Sequence, residues 1–166
     1  FVINNLYTNI IINNKLYSKS KPLQKQISEY IALTKPRIIL LVLVTAYLGY
    51  YLGLRSQDDH MNSIDSWIIL FYLLLGTWAT SACSAVLNQV IEVGQDSEMI
   101  RTKNRPLVKG EIEIFQATVF GILLGTCGFL FLYFLINEIT AWLSLLTILL
   151  YIFIYTPSKR ITTWNT

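Results

Sequence analysis

The sequence predicts an all-α protein, a polytopic bundle of transmembrane helices, on three observations. Of its 166 residues, 54% are hydrophobic and only 14% charged, whereas an ordinary soluble domain is about a quarter charged. Four stretches carry no charge at all: between Arg37 and Arg55, Asp65 and Glu92, Glu113 and Glu138, and Glu138 and Lys159, with 17, 26, 24 and 20 residues in turn. About 20 apolar residues at 1.5 Å each cross a hydrocarbon core of roughly 30 Å, so every gap holds one span, the first most tightly. Basic residues, finally, fall on alternate sides of these spans.

The first 36 residues form a polar, Asn- and Lys-rich segment with neither the continuous apolar stretch of a signal peptide nor an Arg-rich transit pattern. Within it Leu23, Ile27, Tyr30, Ile31 and Thr34 recur at helical spacing, with Lys21, Gln24, Lys25 and Ser28 elsewhere on the wheel. That pattern predicts a short amphipathic helix lying at the membrane surface. Pro36 suits the first turn of the next helix. Spans follow at about 37–54, 67–89, 113–136 and 140–156, helical because lipid cannot satisfy exposed backbone groups.

Lys15, Lys19, Lys21, Lys25, Lys35 and Arg37 precede span one, and Arg101, Lys103, Arg105 and Lys109 join spans two and three. Both segments are therefore expected on the inner side, with a cytoplasmic N-terminus. The loop between spans one and two holds Asp58, Asp59 and Asp65 against Arg55, and Lys159 with Arg160 follows span four. Trp67 and Trp142 fall near span ends, where amphipathic rings favour the headgroup region. A bacterial cell inner membrane is expected, with the mitochondrial inner membrane as the alternative. The chain begins with Phe1 rather than Met and stops in a polar segment just after a span, so it is expected to be a fragment.

A net charge of +3 provides no dense basic face, so nucleic acid is not an expected partner. High hydrophobicity excludes disorder. Cys83 and Cys127 are too few for a disulfide scaffold or a cysteine-built zinc site, and both are expected as small buried hydrophobes. His60, alone in the acidic outer loop, reads as a loop residue rather than a heme ligand. Gly121, Gly125 and Gly128 in span three, and the slim run Ser81, Ala82, Ser84 and Ala85 in span two, predict close helix contact.

Candidate chemistry lies at the end of span two. Asn88, Glu92 and Asp96 are spaced i, i+4, i+8, which places three oxygen-bearing side chains within about 80° of one helix face. Two carboxylates and an amide near lipid ask for a compensating cation, and oxygen-only donors suit Mg2+ or Ca2+ rather than zinc. Mg2+ often binds through one or two carboxylates plus substrate phosphates, and Arg101, Lys103 and Arg105 follow at once to meet such phosphates. From spacing alone the block reads equally as a solvated loop obeying the positive-inside bias. Gly94 weighs against a rigid helix reaching Asp96.

Residues Asn88 to Leu107, with Glu92, Asp96, Met99, Arg101, Thr102, Arg105 and Pro106 between, resemble the first aspartate-rich motif of the heme O synthases, or protoheme IX farnesyltransferases, among the intramembrane prenyltransferases. Leu33-Thr-Lys-Pro-Arg-Ile38 and the segment from Tyr155 to Thr166 resemble the same family, so the likeness runs from about residue 30 to the end. It implies that residues 37–166 are the N-terminal part of a membrane prenyltransferase domain of about nine spans, in which two aspartate-rich loops face each other across a cavity open to the bilayer. The implied reaction transfers farnesyl from farnesyl diphosphate to a vinyl group of heme B. By position, the resemblance gives Asn88, Glu92 and Asp96 to Mg2+ and diphosphate, and Arg101 and Arg105, with Lys103 as the weaker candidate, to the diphosphate oxygens. Farnesyl diphosphate, heme B and the bilayer are the implied partners, and a contact with the heme–copper oxidase assembly machinery is compatible with them. Ser97 and Glu98 depart from the motif, and the second aspartate-rich loop lies beyond the chain, so the chain by itself is expected to be inactive. Rival readings are a prenyltransferase for a quinone precursor and a non-catalytic, cation-binding transporter subunit.

Overall fold

A computed structural model describes residues 22–56 and 63–156. The basic residues Lys15, Lys19 and Lys21, the outer-loop Asp58, Asp59 and His60, and the pair Lys159 and Arg160 lie outside these. The described elements are all helical: α1 Leu23–Leu33, α2 Pro36–Ser56, α3 Ile64–Glu98, α4 Ile114–Leu135 and α5 Glu138–Leu150, which runs on into one π-helical turn, Tyr151–Tyr155. Four helices are long and apolar enough to cross a membrane: α2, α3, α4, and α5 together with its π turn.

Local chemistry sets where the helices start. Pro36 opens α2, where its missing N–H costs nothing. Ser63 caps α3 by accepting the Ser66 backbone N–H at 3.2 Å, and Asn137 caps α5 by accepting from Thr140 at 2.7 Å. These caps place α3 and α5 a few residues ahead of the starts that hydropathy alone predicts.

α3 is the central helix: over its most apolar stretch 39% of residues are buried, against 6% in α2. Its main partner is α4, and small residues make the contact. A Cβ added at Gly125 would lie 2.6 Å from Cys83 Sγ, and one at Gly128 would lie 2.9 Å from both Ala79 Cβ and the Thr80 backbone nitrogen. The two backbones therefore approach as closely as the expected small-residue contact requires. Cys83 is buried in this seam. Cys127 is exposed, contrary to its expected burial, because the ordinary neighbour of an apolar residue in a span is lipid rather than protein.

α3 continues past the expected end of span two at residue 89, through Gly94, to Glu98. Gly94 is exposed, with open space where a Cβ would stand. Buried Glu92 and Asp96 on either side hold the turn, so tertiary contacts override a local glycine penalty of about 1 kcal/mol. Gly94→Ala should accordingly raise stability by about 0.5–1 kcal/mol, read as a higher unfolding temperature in detergent; a lower one would mean that the turn needs glycine.

At the inner end, Leu33 of α1, Val86 of α3, Leu107 and Ile112 of the following loop, and Ala117 of α4 form one buried cluster. Tyr30 sets its ring edge-on to Phe120 of α4 at 5.0 Å. The expected apolar face of α1 thus divides: Tyr30 and Thr34 turn inward, while Leu23, Ile27 and Ile31 remain exposed. This cluster folds the loop after α3 back against the helix it leaves.

Candidate functional site

Asn88, Glu92 and Asp96 are all buried on α3. Asn88 Nδ2 donates to Glu92 Oε2 at 2.8 Å, and Asn88 Oδ1 accepts from Thr156 Oγ1 at 2.8 Å. The amide orientation is fixed from both ends, since the reverse would face its oxygen toward a carboxylate. Asp96 Oδ2 is paired with Arg105 Nη1.

A helix C-terminus carries partial negative charge and favours cations. The last turn of α3 contains no basic residue and instead holds Asp96 and Glu98. The loop supplies what the turn lacks. Thr102, itself buried, donates its hydroxyl to the Asp96 carbonyl at 2.8 Å, and its own carbonyl accepts the Arg105 N–H at 2.9 Å. Arg105 is thereby bent back onto Asp96. Gly110, at φ +67°, allows the chain to turn toward α4.

Beside this acidic face is a cavity of about 440 Å3, with Lys35, Gln89, Arg101, Arg105, Tyr151 and Tyr155 in its wall. Arg105 joins the two features, touching the cavity and pairing with Asp96. Of the six residues singled out in the sequence, the structure brings Asn88, Glu92 and Asp96 together on one helix and sets Arg101 and Arg105 in the cavity wall. Lys103 is exposed and outside that wall.

Sequence reasoning missed Gln89, Tyr151, Tyr155 and Thr156 as parts of the site, and counted Lys35 only toward charge bias. Gln89 Nε2 donates to the Leu33 carbonyl at 2.6 Å, tying the α1–α2 corner to α3. The π turn brings Tyr151 and Tyr155 to the cavity. The resemblance segment starting at Tyr155 was the available signal for that residue and Thr156; nothing in the spacing pointed to Tyr151.

Fold and site together define a polytopic membrane helix bundle that presents an acidic helix face beside a basic cavity at one end. The chain belongs to the UbiA prenyltransferase family, whose sequence profile matches residues 42–166. Members of this family generally use divalent metal ions. The chain is 37% identical over 141 residues to a protoheme IX farnesyltransferase of Solibacter usitatus, covering 83% of this chain and 48% of the relative. It is 36% identical over 153 residues to a mitochondrial protoheme IX farnesyltransferase of Gibberella zeae, covering 90% and 30%. For the protoheme IX farnesyltransferase of Alcanivorax borkumensis the identity is 38% over 138 residues, covering 82% and 44%. The chain thus spans about half or less of the length of these relatives. No solved structure matches it.

Proposed function

We propose that the chain supplies the first diphosphate-binding half of an enzyme that transfers farnesyl from farnesyl diphosphate to a vinyl group of heme B, giving heme O. The observation that carries this reading is the acidic face of α3 adjoining a cavity walled by Arg101 and Arg105, in a chain whose relatives are named protoheme IX farnesyltransferase.

The donor set fits Mg2+. Asn88, Glu92 and Asp96 offer oxygen donors, and Asp96 already draws a cation in Arg105. Among the described residues no three or more His, Cys, Asp or Glu gather into a metal-holding group, which suits an ion that completes its shell with water and phosphate oxygens. Asn88, Glu92 and Asp96 would hold it, and when bound it would help to neutralise the departing diphosphate. Arg101 and Arg105 would meet the diphosphate oxygens with charge-assisted hydrogen bonds, Lys103 acting only from outside the cavity. The allylic C–O bond breaks with its electron pair leaving on the diphosphate. The vinyl π electrons then form the new C–C bond, and water adds to the resulting heme cation and loses a proton, leaving a hydroxyethylfarnesyl side chain. Stabilising the leaving group electrostatically is the main work such a site can do.

The proposed setting is a bacterial cell inner membrane, with the acidic end of α3 on the cytoplasmic side and the exposed Leu23, Ile27 and Ile31 of α1 against the lipid surface. Fractionation of the native protein into mitochondria would replace that compartment. A contact with the heme–copper oxidase assembly machinery belongs to the same proposal and rests on the resemblance alone. The test is to express the gene carrying this chain, in full, in cells that cannot make heme O, and to identify extracted hemes by mass. Heme O is the expected product. A membrane-inserted protein that yields none would overturn the heme reading, and a prenylated quinone precursor in its place would identify the acceptor.

A further inference from the structure

We infer that Lys35 is a third cation of the diphosphate site, reaching the cavity from the α1–α2 corner beside Arg101 and Arg105; this rests on the diphosphate reading above. Membrane sidedness explains a basic residue somewhere near this corner, but not its position. Lys35 is part of the cavity wall, whereas Arg37, two residues on, is exposed and outside it. No carboxylate shares that wall among the described residues. Three cationic side chains and the two tyrosines therefore face one space, an arrangement that favours a multiply charged anion.

The backbone supports the same assignment. Lys35 has φ +53° and is the one non-glycine in the left-handed region among the described residues. Glycine adopts that region freely and lysine does not. Such a conformation persists where the surroundings over-determine it, and these positions cluster at ligand sites. Here the surroundings are explicit. Leu33 is fully buried, and its carbonyl accepts from buried Gln89 at 2.6 Å. Thr34 Oγ1 donates to the Ile31 carbonyl at 2.8 Å, and the Lys35 carbonyl accepts the N–H of Ile38 at 3.0 Å as α2 begins. Gln89 is the chain neighbour of Asn88, so the helix that carries the acidic face also sets where Lys35 stands.

Two substitutions in the full-length protein separate charge from backbone: Lys35→Gly removes the amine and relieves the conformation, while Lys35→Arg keeps a cation under the same constraint. Inorganic pyrophosphate with Mg2+ is the probe, titrated into detergent-purified protein by calorimetry. Lys35→Gly is expected to weaken binding about tenfold or more and Lys35→Arg by no more than about threefold, with the glycine variant unfolding at or above the wild-type temperature. Equal affinity of Lys35→Gly and wild type would overturn the inference, and so would equal weakening by both variants, which would mark a corner residue only. Should the glycine variant fail to fold, Lys35→Gln takes its place with the same outcomes. A wild type that binds pyrophosphate but makes no heme O removes the heme reading and leaves Lys35 to be judged by binding; a wild type that binds none overturns both.

Discussion

Replacing Asp96 with asparagine in the full gene should lower heme O by at least about 100-fold, the scale on which removing one preorganised electrostatic group acts on a developing charge. Asp96 is buried at the end of α3 and is matched by Arg105 from the following loop. The substitution preserves shape while removing the charge that would hold a divalent ion and that keeps Arg105 in the cavity wall. Arg105 is itself partly exposed, so it can turn to solvent without leaving a stranded buried cation, and the variant should still reach the membrane at the wild-type level. Glu98→Gln is the control: Glu98 is exposed on the same turn and should leave heme O within about twofold, as surface substitutions away from special features usually do. Equal heme O from wild type and Asp96→Asn would remove Asp96 from the proposed metal and diphosphate site.

The largest expected effect on stability comes from a single methyl group at Gly128. A Cβ there would stand 2.8 Å from Thr80 Cγ2 and 2.9 Å from both Ala79 Cβ and the Thr80 nitrogen. A backbone atom cannot rotate aside, so Gly128→Ala must part α3 from α4 and should cost about 1–3 kcal/mol. Gly125→Ala differs in kind, because its nearest neighbour is Cys83 Sγ at 2.6 Å. Adding Cys83→Ala removes that atom, so the pair should recover at least about 0.5 kcal/mol relative to the sum of the single changes. Gly53→Ala, in open space on α2, is the neutral reference. Unfolding temperatures in one detergent measure all four. Gly128→Ala as stable as Gly53→Ala would mean that the α3–α4 seam is looser than described.

The spans were legible because lipid tolerates so few charges that their gaps mark helices directly. The three glycines of α4 announced a close contact, and the structure supplies their partners in Ala79, Thr80 and Cys83. What escaped the sequence depended on contacts between distant residues. The passage of α3 through Gly94 is decided by burial on either side of it, which no local propensity contains. The return of Arg105 to Asp96 depends on Thr102 capping the helix, and the tyrosines of the cavity arrive from a helix more than fifty residues further on. Lys35 looked like one more inner-side lysine, because backbone angle is invisible in a list of charges.

The π turn also bears on how this protein can diverge. Thr156 N–H bonds to the Tyr151 carbonyl, five residues back, and the hydroxyl of the same threonine meets Asn88. Deleting one residue from this turn, with a return to α winding, would rotate everything after it by about 100° and carry that hydroxyl away from Asn88. The other end of the helix is pinned by the Asn137 cap. Between two fixed ends there is no slack in which a gained or lost residue could be absorbed, so lineages have room to exchange side chains along this helix but little room to alter its length.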